Sequence, residues 1–314
     1  IELPNNLVTG LGDDNIIGSF PIENFKFYWY NIAYLSIGSN GFIAFSNPQN
    51  IASPFPLIPT PSGANDFIAP LLSDLTFAGN NNPGECYFDN HNMDSTVISF
   101  VNVPFWQQAN PQYTGSNTFQ IILCHIDSTI IFQYKAMNGM TNGNDITIGI
   151  ESIAGSIGLQ HSQDTYPQPL YSIKFSPPSI SNASPIIDVA TSWNDNNENK
   201  GIFLSNNGNG HSLISNIDNV GNQNISSIAV TSNVTPLFSM PVVTNNASVN
   251  SLSVGQDTTI FSPISFYPST VGTYTFSSQA TLVGDINPTN NSIGQEIVVL
   301  DTTQSNINLC FANN

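Results

Sequence analysis

The stretch Ala33-Tyr-Leu-Ser-Ile-Gly-Ser-Asn-Gly-Phe-Ile-Ala-Phe45 decides the fold. Two short runs rich in apolar residues, Ala33–Gly38 and Phe42–Phe45, flank Ser39-Asn40-Gly41. Asn-Gly supplies the positive φ values of a tight turn, so the segment predicts a β-hairpin. The same texture extends outward in both directions. Pro, Gly, Asn and Ser interrupt nearly every apolar run after four to eight residues, and the runs are β-branched or aromatic, with almost no helical period. The chain reads as all-β. Further strands are expected at Phe67–Leu72, Glu85–Asp89, Thr96–Val103, Thr118–His125, Thr129–Tyr134, Ile146–Glu151, Gly158–His161 and Leu170–Phe175, mostly antiparallel because the connections are short. Ser46–Asn65 carries five prolines, which excludes a central strand and predicts a long surface loop.

At 314 residues the chain has room for two cores. Ser176-Pro-Pro-Ser-Ile-Ser-Asn-Ala-Ser-Pro185 has the composition of a linker. The expected organisation is a β-sandwich over 1–178, a linker over 179–185 and a second sandwich over 186–302. The second should have about seven short strands, as an immunoglobulin-like sandwich does. Residues 303–314 read as a tail or the start of a further module. The fold class expected is two antiparallel β-sandwich domains in tandem, the second immunoglobulin-like.

Only 8% of residues are charged, the net charge is -17, and the four basic residues are Lys26, Lys135, Lys174 and Lys200. Phosphate backbones and anionic lipid surfaces are both held by clusters of Lys and Arg, so nucleic acid is not an expected partner. No apolar run approaches the roughly 20 residues of a spanning helix, and direct membrane insertion is not expected. The start at Ile1 without a leader suits a processed, exported chain.

No H-E-x-x-H, G-x-S-x-G, phosphate-binding or dinucleotide signature is present, and without arginine no guanidinium clamp exists. The expectation is a protein that is not an enzyme. Calcium is the cofactor its chemistry suggests, because acidic loops rich in Asp and Asn offer the oxygen ligands that hard cations take. The residues singled out are Asp89 and Asp94 in one loop and Asp195 and Glu198 in another, with Asp13-Asp14 a further acidic pair; each also reads as an ordinary solvated turn. In Phe27-Tyr28-Trp29-Tyr30, strand alternation would turn two of the four rings inward, leaving Trp29 as a ligand contact at a loop edge. The three cysteines have no metal spacing. Cys86 and Cys124 lie two strands apart, roughly 9.5 Å, which exceeds the reach of a disulfide. Cys310 is a candidate contact between subunits, since Ser305-Asn-Ile-Asn-Leu-Cys-Phe311 alternates as a donated strand would.

The run Phe25-Lys-Phe-Tyr-Trp-Tyr-Asn-Ile-Ala-Tyr-Leu-Ser-Ile-Gly-Ser-Asn-Gly-Phe-Ile-Ala-Phe45 resembles the signature of nidogen-like domains of exported Bacteroidetes proteins. Phe67-Ile-Ala-Pro-Leu-Leu-Ser-Asp-Leu75 and Ile146-Thr-Ile-Gly-Ile-Glu-Ser-Ile-Ala-Gly-Ser-Ile-Gly-Leu-Gln160 follow in the family's order. The similarity covers about 20–176. Trp29 stands where the family has Gly, Leu72 where it has Trp, and Ser73 where it has the first of two Asp residues, leaving Asp74 alone. Asn219-Val-Gly-Asn-Gln-Asn-Ile-Ser-Ser-Ile-Ala-Val230 and Gly284-Asp-Ile-Asn-Pro-Thr-Asn-Asn-Ser292 are similar to bacterial immunoglobulin-like modules related to cell adhesion.

These resemblances imply a secreted or cell-surface protein, exported by the type IX route, that serves as an adhesive or structural module. Its partners would be other cell-surface proteins, glycans or copies of itself. The alternatives are an attachment region of a larger secreted enzyme and a carbohydrate-binding module.

Overall fold

The structure is a computed structural model that describes residues 6–46, 48–92, 94–139, 145–178, 184–196, 201–205 and 208–301. The described residues contain strands and no helix. Contacts divide the chain into two compact units between Ser184 and Pro185. Most of the expected linker, 179–183, and the tail from 302 onward lie outside the described residues.

The first unit holds β1 (Leu7–Val8), β2 (Ile16–Phe27), β3 (Tyr30–Gly38), β4 (Phe42–Ala44), β5 (Phe67–Leu72), β6 (Glu85–Asn92), β7 (Ser95–Trp106), β8 (Tyr113–Cys124), β9 (Thr129–Asn138), β10 (Thr147–Glu151), β11 (Gly158–Gln163) and β12 (Tyr171–Phe175). They form two six-stranded sheets, ordered β1-β6-β7-β8-β9-β12 and β11-β10-β5-β4-β3-β2. Every pairing in both sheets is antiparallel. The inner faces enclose a core that includes Phe25, Phe27, Leu35, Ile37, Phe100, Phe119 and Phe132. All strands expected in this half are present, several longer than their apolar runs because polar residues continue the ladders at the rims.

The deciding hairpin forms with a three-residue connection, Gly38 pairing with Phe42. Only Gly41 takes a positive φ, +77°, and a Cβ there would lie 2.2 Å from the Leu71 carbonyl oxygen. Asn40 does not share the positive φ expected of it. Its side chain instead turns into the protein and is fully buried.

The proline-rich loop differs from the expectation of a surface excursion. Ile51, Phe55 and Ile58 are buried against Phe42, Ala44, Phe67, Ala69 and Leu72, on the face of β4 and β5 turned away from the main core. The segment is a strap, and it gives β5 two buried faces. Burial of each large side chain contributes about 1.5–3 kcal/mol. Proline suits the strap because each one removes an N–H that would otherwise need a buried partner.

A second correction concerns the aromatic run. Phe27 pairs with Tyr30 across the β2–β3 hairpin, so Tyr28 and Trp29 form its two-residue turn, with Tyr28 at a φ of +51°. Turn geometry overrides strand alternation here. Phe27 alone of the four is fully buried, and Trp29 sits half-buried between the Tyr28 and Tyr30 rings.

The second unit holds β13 (Val189–Asp195), β14 (Ile202–Leu204), β15 (Ile214–Asn219), β16 (Ile225–Pro236), β17 (Val243–Leu252), β18 (Asp257–Phe261), β19 (Gly272–Thr281) and β20 (Ser292–Leu300). They form sheets ordered β13-β15-β18 and β14-β20-β19-β16-β17. One pairing, β14 with β20, is parallel. The long intervening chain permits this, since only a short connection forces antiparallel neighbours. The apolar interior is split into two clusters, one around Phe203, Phe266 and Phe276 and the other around Ile217, Ile228 and Val230. A chain of hydroxyls also crosses between the sheets. The Ser215 hydroxyl lies 2.5 Å from that of Ser278, which lies 2.8 Å from that of Ser232, and Ser215 donates to Asn194 Oδ1 at 2.8 Å.

Candidate functional site

Three polar or apolar constellations stand out, and of the sites read from sequence only the Asp13-Asp14 pair falls within one of them. The first is the anchorage of the strap. Glu151, the last residue of β10, is fully buried, and its Oε2 accepts the Thr60 N–H at 2.7 Å. The Asn65 amide, turned with its nitrogen inward, donates to Glu151 Oε1 at 3.0 Å and to the Thr60 carbonyl at 2.9 Å. Asp66 accepts the Tyr30 hydroxyl at 2.5 Å and the Ser46 N–H at 2.9 Å, and the Tyr30 oxygen accepts the Ile153 N–H at 2.8 Å. Gln160 takes the Ile58 N–H at 3.0 Å, and Asp145 takes the Phe55 N–H at 3.0 Å and the Ser53 hydroxyl at 2.5 Å. Burial pushes Glu151 up to about 8 and Asp66 up to about 6. Raised carboxyls in a cleft would suggest acid–base chemistry. Here the groups lie under the strap and hold its backbone.

The second constellation is an acidic end of the same unit, around the hairpin turn. Asn40 donates to Asp14 Oδ1 at 2.8 Å and to the Ile51 carbonyl at 2.8 Å, and its Oδ1 accepts the Leu75 N–H at 3.1 Å. Asp74, the remaining member of the acidic pair, is pushed up to about 6 by burial and by the charges of Asp14, Asp13 and Asp145. Ser73, at the departed position, donates its hydroxyl to the Asp145 carbonyl at 3.1 Å.

The third lies at the end of the second unit where β20 terminates. Leu237, Phe238, Met240 and Val242, in the β16–β17 connection, are exposed, as are Ile264, Tyr267 and Val271 between β18 and β19. Phe238 is 98% exposed and Met240 79%. Leu237, Val242, Ile264, Tyr267 and Val271 line a hollow of about 650 Å³ whose lining residues, from Pro236 to Tyr274, include no charged side chain, and Phe238 and Met240 stand exposed in the adjoining connection.

Asp89, Asp94, Asp195 and Glu198 are not shown to form one site. Asp89 lies on β6 and Asp94 is exposed in the β6–β7 turn, where its carbonyl accepts the His125 N–H at 2.9 Å. Asp195 ends β13 in the other unit, and Glu198 and Cys310 lie outside the described residues. Among the described residues no group of three or more His, Cys, Asp or Glu is arranged to hold a metal ion. Cys86 and Cys124 are free and stand on β6 and β8, with β7 between them, as the strand count required. Among the described residues no helix is long and apolar enough to cross a membrane.

A twelve-stranded sandwich with a proline-rich strap, followed by a second sandwich, defines an all-β protein of two units. The model of the NIDO-related family matches residues 3–193, and the chain belongs to that family. The match begins before β1 and ends within β13, so it is longer than the similarity read from the motifs. No curated protein matches the sequence. Among solved structures, the crystal structure of the CARDB domain of a Pyrococcus furiosus protein in complex with di-metal ions is similar at 16% identity. It covers 40% of this chain and 100% of that chain, with a TM-score of 0.28. The solution NMR structure of that domain is similar at 17% identity, covering 37% of this chain and 95% of that chain, again with a TM-score of 0.28. Likeness at that level transfers neither fold nor metal.

Proposed function

We propose that this chain is a non-catalytic adhesive or structural module of a secreted or cell-surface bacterial protein, and that it associates with a second copy of itself through the apolar end of its second unit. The second unit is then an immunoglobulin-like module. A Bacteroidetes source and type IX export fit the nidogen-like motifs. One observation carries the reading: an uncharged hollow lined by exposed Leu237, Val242, Ile264, Tyr267 and Val271, with exposed Phe238 and Met240 in the adjoining β16–β17 connection, on a chain of net charge -17. Contiguous exposed apolar surface marks interaction sites. Two strongly acidic copies repel over most of their surface, so an uncharged region is where they can meet.

Light scattering and electron microscopy of the full chain test this. Dimers or filaments in the wild type, reduced to monomers by Phe238→Asp with Met240→Asp, are expected. A wild type that remains monomeric at high concentration overturns self-association and returns the choice to an attachment region of a secreted enzyme or a carbohydrate-binding module. Binding on a glycan array that Trp29→Ala abolishes would select the latter.

A further inference from the structure

We propose that the start of the second unit carries a calcium site whose protein ligands are Asp188, Asp285 and Asn290. None of these residues was among the acidic loops singled out by composition. Asp188 immediately precedes β13 and is 0% exposed. Its backbone carbonyl accepts the N–H groups of Val220 and Gly221 at 3.2 and 3.3 Å, which fixes the residue in place. Its Oδ1 accepts the Asn290 amide at 3.0 Å, and its Oδ2 has no partner. The Asn290 Oδ1, at the other branch of the contacting amide, is also buried and without a partner. Asp285 accepts the Val189 N–H at 3.1 Å through Oδ2 and the Asn287 N–H at 2.8 Å through Oδ1, which holds its carboxylate against the residue after Asp188. Asn291, next in the chain, is buried with its Oδ1 lacking a donor as well.

A buried oxygen without a donor costs free energy, and here several occur in one loop cluster. Burial, with the charge of Asp285 adding to it, pushes Asp188 up to about 8. A proton is a poor remedy. The neutral carboxyl would need an acceptor for its O–H, and Asn290 presents its NH₂ group to it. A hard divalent cation answers both deficits, because it takes carboxylate and amide oxygens together and completes its shell with water. Two carboxylates with amide oxygens make a mixed donor set, so the site differs from the clusters of three or more acidic, histidine or cysteine side chains that are absent among the described residues. The Gly284-Asp-Ile-Asn-Pro-Thr-Asn-Asn-Ser292 loop, compact through the Asn290 N–H to Asn287 carbonyl bond at 3.4 Å, brings Asp285 and Asn290 to β13.

The test is calorimetric calcium titration and thermal unfolding of the full chain, first stripped with a chelator and then with calcium. Saturable binding and a rise in unfolding temperature are expected. Asp188→Asn should fold in chelator at least as stably as wild type, since it removes a buried charge. It should lose tenfold or more in calcium affinity, and Asn290→Ala should weaken binding in the same direction. Absence of a calcium-dependent rise in the wild type overturns the site. An undiminished rise in a folded Asp188→Asn variant also overturns it, by placing the ion elsewhere.

Discussion

Glu151 Oε2 accepts the backbone N–H of Thr60 at 2.7 Å, joining the end of β10 to a strap 91 residues earlier in the chain. The bond explains why a carboxyl is retained where no solvent reaches. Thr60 follows Pro59 and precedes Pro61, so its N–H stands between two positions that have none to offer. One side-chain acceptor therefore satisfies the strap locally.

That burial makes stability depend on pH. Glu151 is raised from 4.5 to about 8 and Asp66 from 3.8 to about 6. A raised carboxyl holds its proton more tightly when folded, so both groups favour the folded state most below the unfolded values. The benefit is lost as pH rises through the folded ones. The unfolding temperature should fall between pH 4.5 and 8, and Glu151→Gln should flatten the Glu151 share of that fall, on the order of 5 kcal/mol. An unchanged slope in the Gln variant would refute the assignment.

Asn40 ties the hairpin turn to Asp14, the strap and β5 through three bonds. Asn40→Ala leaves the Leu75 N–H and Ile51 carbonyl without these partners in a buried place. It should cost about 2–4 kcal/mol in denaturant titrations.

Phe55 is the central apolar anchor of the strap. Phe55→Ala should destabilise by about 3–5 kcal/mol. It should also make the 46–65 segment sensitive to limited proteolysis while the two main sheets keep their circular dichroism.

The thiols separate by burial. Cys86 is buried and its thiol is pushed well up, while Cys124 is half-buried and raised mainly by burial, with Asp127 adding to it. An alkylating reagent should modify Cys124 slowly in the native protein and Cys86 only after unfolding, which peptide mass mapping resolves. A Cys86–Cys124 crosslinked peptide from non-reduced material would contradict the strand order.

Much of the first sandwich is legible locally. Alternation and punctuation marked β5 from Phe67 to Leu72 to the residue, and the strand count kept Cys86 from Cys124, because both depend on periods of two and on turn chemistry. Asn40 shows the limit: its type marked the turn, yet its role depends on Asp14, Ile51 and Leu75, which only folding brings near. The strap was read as exposed because proline excludes a strand, and proline says nothing of whether a segment packs on a sheet. Asp188 and Asn290 are 102 residues apart; the loop motif that holds Asn290 says nothing of its meeting with Asp188. The hydroxyl chain from Ser215 through Ser278 to Ser232 gave no local signal, since three serines on separate strands look like surface residues until the sheets face one another.

What the sequence by itself determined is the all-β character and the strong excess of negative charge. These follow from residue period and composition, which act along the chain. Which carboxyls are buried, which loop covers which face, and where uncharged apolar surface is left at the end of the second unit were decided by tertiary structure. Burial and pairing are set by contacts between residues far apart in sequence, and no local pattern encodes them.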